Sequence, residues 1–206
     1  MNFEKLFLAS ILILTNLAGF SQVKFGIKAG LQVSDGVFHT LDNNTSLSLK
    51  YHVGILSEIY LGKKFFIRPE LLYSVKGWKF NGSATSSETS VNLHYLNVPI
   101  LFGFRPVPKL SLLAGIEAGY LLNVSMHSKG LSSHSNFYKT FDLGLAIGAD
   151  YKISSHIGAE IRYVHGFNKL YKGYITDPSG NLVGMVKDGS NRVLQASVFY
   201  IFGKVK

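Results

Sequence analysis

The chain reads as an all-β protein, an eight-stranded antiparallel transmembrane up-and-down β-barrel, and three observations predict it. Apolar and polar residues alternate with period two in eight separate runs, charges keep to one face along the inner stretch of each run, and the connections between runs are alternately short and long. The composition agrees: 47% of the 206 residues are hydrophobic, aromatics reach 13% and glycine is plentiful at 21. Charged residues are only 16%, where soluble globular chains carry roughly 25%. One domain accounts for this length in an all-β fold, and disorder is excluded as a general description.

Residues 1–21 have the form of a cleaved signal peptide. Lys5 supplies a positive start, Leu6 to Leu14 is apolar apart from Ser10, and Gly19 and Ser21 put small residues where a signal peptidase cuts. A retained anchor needs about 20 apolar residues, and this run meets Thr15 and Asn16 first. Cleavage after Ser21 leaves residues 22–206 as the barrel. The absence of cysteine excludes a disulfide framework, thiolate metal sites, a thiol nucleophile and acylation of an N-terminal cysteine. In an exported chain a formal net charge of +9 points to anionic lipid headgroups and away from nucleic acid.

The eight runs are 23–34, 47–62, 64–79, 92–105, 109–124, 139–152, 156–168 and 191–203. The first alternates Phe25, Ile27, Ala29, Leu31 and Val33 with Lys24, Gly26, Lys28, Gly30 and Gln32. Runs two to four carry no charge at every second residue from Tyr51 to Leu61, Phe65 to Val75 and Leu96 to Phe104; His52, Glu58, Arg68, Glu70, Lys76 and Arg105 lie opposite. The fifth sets Leu110, Leu112, Ala114, Ile116, Ala118, Tyr120 and Leu122 against Ser111, Gly115, Glu117, Gly119 and Asn123. The sixth is the cleanest, with Phe141, Leu143, Leu145, Ile147, Ala149 and Tyr151 facing away from Asp142, Gly144, Ala146, Gly148, Asp150 and Lys152. In the seventh Glu160 and Arg162 oppose Ile157 to Tyr163, and in the eighth Gln195 and Ser197 oppose Leu194, Ala196, Val198, Tyr200 and Phe202. Period two is the signature of strands with two unlike faces.

A soluble barrel with an apolar centre would sort its residues in the same way. Glycines crowd the polar face, and small residues suit the narrow interior of an eight-stranded barrel, while the apolar face is expected to carry the large side chains. Ring residues gather at both ends of the apolar face, Tyr51, Tyr73, Tyr120, Phe141 and Tyr163 at one and Phe25, Phe65, Phe104, Tyr151 and Phe202 at the other. Two aromatic girdles flanking an aliphatic band fit a lipid-facing wall. The links 35–46, 80–91, 125–138 and 169–190 are long and polar, whereas Gly62-Lys63, Pro106-Val107-Pro108 and Ile153-Ser154-Ser155 are tight. That asymmetry is the pattern of the bacterial outer membrane, with short turns in the periplasm. Pro69 and Pro99 fall inside runs three and four; because proline donates no ladder hydrogen bond, a local bulge is expected there.

The inward charges, Lys28, Arg68, Lys76 and Arg162 against Glu58, Glu70, Glu117, Asp142, Asp150 and Glu160, are expected to fill the lumen as an ion-pair network, because buried charges must be paired. A proton or ion path through the same residues is the sharper alternative. His94, His127 and His134 lack the short fixed spacing of a zinc site, so neither a metal nor any other cofactor is expected. A lipid-modifying enzyme would need Ser125, His127 and Glu117 to converge, but no G-x-S-x-G elbow is present, and the expectation is a non-enzyme. Segment 169–190 offers Tyr171, Tyr174 and Met185 as recognition candidates. Lys24, Lys63, Lys64, Arg105, Lys109, Lys152, Lys204 and Lys206 collect at the opposite rim, to meet lipid phosphates or an acidic periplasmic partner.

Three blocks, Phe25-Gly26-Ile27-Lys28-Ala29-Gly30-Leu31, Arg68-Pro69-Glu70-Leu71-Leu72-Tyr73-Ser74 with Lys76-Gly77, and Tyr95-Leu96-Asn97-Val98-Pro99-Ile100-Leu101, resemble the PorT-like family of outer-membrane β-barrel proteins. The resemblance covers essentially the whole mature chain and departs from the family at Asn97, where glutamate is commoner. It implies an eight-stranded barrel of the OmpA/OmpX type and, through the member that names the family, a link to protein secretion. The expectation is thus a monomeric outer-membrane protein with a structural or binding role, its partners lipid and other envelope or secretion proteins. An accessory part in a secretion system is the alternative.

Overall fold

The computed structural model describes residues 23–36, 45–80, 89–127, 138–168, 174–176, 182–185 and 190–203. The leader segment 1–21 and Tyr171 lie outside them. The described residues form ten strands: β1 (Val23–Gly36), β2 (Thr45–Tyr60), β3 (Phe65–Phe80), β4 (Thr89–Val107), β5 (Leu110–His127), β6 (Phe141–Lys152), β7 (Ile157–Gly166), β8 (Tyr174–Thr176), β9 (Leu182–Met185) and β10 (Asn191–Ile201). Eight of them close an antiparallel barrel in the order β1-β2-β3-β4-β5-β6-β7-β10, and β10 returns to pair with β1 from Gly26 against Ile201 to Gly36 against Asn191. Closure leaves no strand edge, which an apolar solvent requires.

The wall is apolar outward and mixed inward. Phe25, Ile55, Ile116, Ile147, Ile161 and Val198 stand exposed on six different strands, and the polar residues between them turn to the lumen. From Phe141 to Tyr151 on β6 the outward face climbs roughly 25 Å along the barrel axis, taking ~3.3 Å per residue and a tilt of ~40°, the height of a lipid-facing band. In water a continuous apolar belt of this kind would far exceed the patch of a few hundred Å² that soluble monomers tolerate.

Several expectations are corrected. The prolines produce no bulge: Leu56↔Glu70 and Ile59↔Ile67 flank Pro69 in one register, as Pro69↔Ile100 and Leu72↔Asn97 flank Pro99 opposite Glu70. On β5 the ladder runs straight through Pro99↔Glu117. Each proline removes one donor, but its fixed φ is compatible with an extended strand, so rungs drop out without an extra residue. The register shifts of the wall lie elsewhere, between Leu47 and His52 on β2, beside His94 and Tyr95 on β4, and between Phe104 and Val107 at the end of β4. The second inserts Leu122 into β5, so Leu122 and Asn123 are both exposed and Val124 is buried; Asn123 faces outward, not into the lumen. Segment 169–190 is not wholly irregular, since β8 and β9 pair as a small hairpin with Tyr174 opposite Met185.

The large side chains are not all outside either. Phe66, Tyr95 and Phe199 are fully enclosed, with Leu72, Leu93 and Leu101. Glycine makes the room: a Cβ on Gly103 would strike the Phe66 ring, and one on Gly158 the Phe199 ring. Gly158→Val is therefore expected to lower unfolding stability in vesicles by about 1–3 kcal/mol. Adding Phe199→Leu should recover much of that loss in the same urea titration; if the single variant were neutral, Phe199 would not be packed where it is described.

Candidate functional site

The lumen contains two ion-pair clusters. On the turn side Arg68 on β3 is the hub. Its Nη2 donates to Glu58 on β2 and to Asp150 on β6 at 2.7 Å, and Nη1 to Glu160 on β7 at 3.0 Å. The guanidinium lies between the rings of Phe66 and Phe199, 5.2 and 5.1 Å from their centroids. Arg162 on β7 forks onto Glu70 at 2.9 and 2.6 Å and reaches Glu160 at 2.8 Å. Lys28 on β1 completes the group, 2.6 Å from Glu160 and 3.4 Å from Glu70. All these side chains are inaccessible to solvent. Sequence alternation places each of them inward, and bidentate forks are the strong, orientation-fixing kind of ion pair.

The second cluster sits toward the long-segment end. Lys76 lies 3.2 Å from Glu117 and 3.7 Å from Asp142, with its ammonium 4.9 Å from the centroid of Tyr95. Asn97 donates to Glu117, Ser74 to Asn97 at 3.0 Å, and Asn191 to Asp142 at 2.6 Å. Beyond it Val91, Leu93, Tyr95, Leu121, Val124 and Tyr138 pack into an apolar plug. Leu56, Phe199 and Ile201 form a smaller one toward the turns. These ten charged residues all lie inside the barrel, four cations against six carboxylates. The turn-side cluster is short of one cation, and at its mouth Arg105 and Lys152 each approach Glu58 at 3.6 Å.

The girdle residues divide. Phe25, Tyr51, Phe65, Tyr120, Phe141, Tyr151, Tyr163 and Phe202 are exposed on the outer wall. Tyr73 is half-covered between Tyr51 and His94, and Phe104 by Phe65, stacked at 5.1 Å. Tyr174 and Met185 pair through their backbones in the β8–β9 hairpin. Ser125 and Glu117 do not converge: Glu117 is inside the lumen, whereas Ser125 lies beyond the bulge and contacts His94 Nε2 at 3.2 Å. The His94 Nδ1 pairs with the Tyr73 hydroxyl at 2.7 Å. Among the described residues no three His, Asp or Glu side chains could hold a metal, and His134 falls outside them.

Sequence reasoning missed the ring-lined part of the lumen and the basin at its turn-side mouth. Gly103 and Gly158, small residues directly across from bulky inward positions, were the available signal.

Comparison with functionally characterised proteins finds no match. Among solved structures, Neisserial surface protein A aligns with a TM-score of 0.52 at 14% identity, covering 87% of this chain and 97% of that one. The Yersinia pestis attachment invasion locus protein Ail gives 0.49 at 15% identity over 87% and 97%, and the outer membrane protein OprG of Pseudomonas aeruginosa 0.47 at 13% over 89% and 98%. At such identities the first of these speaks to the fold alone. A family model described as the outer membrane protein beta-barrel domain matches residues 16–172, most of the chain. With a closed barrel, an apolar outer wall and that match together, the chain belongs to the outer membrane protein β-barrel domain family and is a protein of the bacterial outer membrane.

Proposed function

We propose that the barrel is a monomeric, non-enzymatic anchor whose binding role lies in its long outer segments, and that its lumen carries no ion current. The supporting observation is the lumen itself: Arg68 holds three carboxylates at once and an apolar plug covers the outer cluster. An ion passing the axis would have to break several buried pairs, each costly to separate. Binding is then left to the ends, where β8 and β9 set Tyr174 opposite Met185; these two, with Tyr171 of the same segment, are the residues assigned to recognition.

Two measurements test the reading. Reconstituted in planar bilayers, the protein should show no steady conductance, and reproducible open-channel steps would contradict it. Replacing residues 174–185 with a Gly-Ser linker should leave insertion intact and abolish binding of intact cells to their partner surface; unchanged binding would move the role elsewhere. A part in protein secretion is the second reading. It rests on the PorT-like block around Arg68-Pro69-Glu70, and co-purification of secretion components from solubilised membranes would favour it.

A further inference from the structure

We propose that the turn-side mouth of the barrel is a binding site for a phosphoryl group, a function independent of the outer segments. The three short turns and the starts of the strands enclose a basin of about 660 Å³, lined by Lys24, Tyr60, Lys63, Arg105, Lys109 and Lys152. That is the size of a small-molecule pocket.

The charge in the basin is one-sided. Five cations and no carboxylate line it; Glu58, just beneath Arg105 and Lys152, is already engaged by Arg68, Tyr60, Arg105 and Lys152. Lys24, Lys63 and Lys109 form no ion pair with any described residue; Lys24 rests over the Tyr60 ring, 5.5 Å from its centroid. Crowding like charges in one concavity raises its potential by several kT and concentrates counter-anions there.

A donor is also waiting. The Arg105 guanidinium is fixed by Nε donating to Ser111 at 3.2 Å, by Nη1 donating to the Tyr60 hydroxyl at 3.1 Å, and by the faces of Phe66 and Tyr60, yet its buried Nη2 has no acceptor within hydrogen-bond reach, the Glu58 carboxylate standing off at 3.6 Å. A preorganised guanidinium flanked by ammonium groups suits a tetrahedral dianion with several oxygens better than one planar carboxylate. Lys24, Arg105 and Lys152 occupy inward positions, so they converge on the axis instead of splaying into the leaflet. The wall outside them carries rings, Phe65 and Tyr151 exposed and Phe104 half-covered. The phosphoryl group can come from a soluble phosphate or from a lipid headgroup drawn in from the inner leaflet.

The test uses the full barrel in nanodiscs. In pure phosphatidylcholine, tripolyphosphate is titrated calorimetrically into the wild type, into the triple variant Lys24→Gln, Lys63→Gln, Lys109→Gln, and into Arg105→Lys. The triple variant removes lysines that hold no ion-pair partner among the described residues, so the barrel should still fold. Arg105→Lys keeps the net charge and loses the fork. Saturable one-to-one binding, weakened about tenfold or more in both, is the expected result. In the second arm, nanodiscs containing phosphatidylglycerol are examined by native mass spectrometry. Retention of that lipid by the wild type, lost in both variants and displaced by tripolyphosphate, assigns the site to a headgroup; calorimetric binding without retention assigns it to a soluble phosphate. No saturable binding in either arm, or binding equal in all three proteins, overturns the proposal.

Discussion

Ile147→Arg is expected to destabilise the inserted barrel by about 2–4 kcal/mol, measured by urea titration in phospholipid vesicles. Ile147 lies near the middle of the outward face of β6, half exposed and flanked by Leu145 and Ala149. A guanidinium there must either enter hydrocarbon or pull water and headgroups toward it. The same change at Tyr151, at the level of the turn-side girdle, should cost about 1 kcal/mol or less, because the headgroups are within reach. The depth dependence carries the meaning: a soluble barrel would tolerate arginine equally well at both positions.

Arg68→Leu is expected to cost about 3–5 kcal/mol, since removing one partner of a buried ion pair leaves the other uncompensated. Here three carboxylates from three strands, Glu58, Asp150 and Glu160, lose a shared cation. Arg68→Lys should recover only part of the loss, because one ammonium cannot reproduce the two-nitrogen fork between the Phe66 and Phe199 rings. Adding Asp150→Asn to Arg68→Leu should restore some stability, as Arg68 is the ion-pair partner shown for Asp150. Lys24→Gln is the control, with a change within about 0.5 kcal/mol. Wild-type behaviour in Arg68→Leu would mean that water reaches this cluster.

The barrel was legible because period two runs through the inner stretch of every wall strand: the twelve residues Phe141 to Lys152 alternate, and the burial of β6 largely follows them. Strand limits were less legible. β4 extends from Thr89 to Val107 and β5 to His127, beyond the runs 92–105 and 109–124, because a ladder closed on both sides also holds polar residues such as Ser90 and Ser125. Asn123 was misplaced because one inserted residue reverses the parity of all that follow it, and no composition signal marks the insertion at Leu122. The proline bulge was expected from a local rule, but neighbouring rungs of a closed sheet outvote one missing donor.

The lumen was half legible. Alternation sorts residues by face, and so the ten charged residues could be placed on one side without knowledge of distances. It cannot say which strands meet across the axis. Glu160 joins Lys28, Arg68 and Arg162 from three strands, a consequence of closure and stagger that only the register supplies. The basic basin was visible merely as scattered lysines and arginines at one rim, because its concavity arises from three separate turns.

The central claim, that the apolar face meets lipid, has a direct test, and the absence of cysteine makes it clean. Single cysteines placed in turn from Leu143 to Ala149 on β6, spin-labelled in vesicles, report collision with oxygen dissolved in lipid and with a water-borne nickel chelate. Labels at 143, 145, 147 and 149 should be strongly relaxed by oxygen and barely by nickel, and labels at 144, 146 and 148 by neither. Nickel access along the odd positions, or oxygen access along the even ones, would contradict the account.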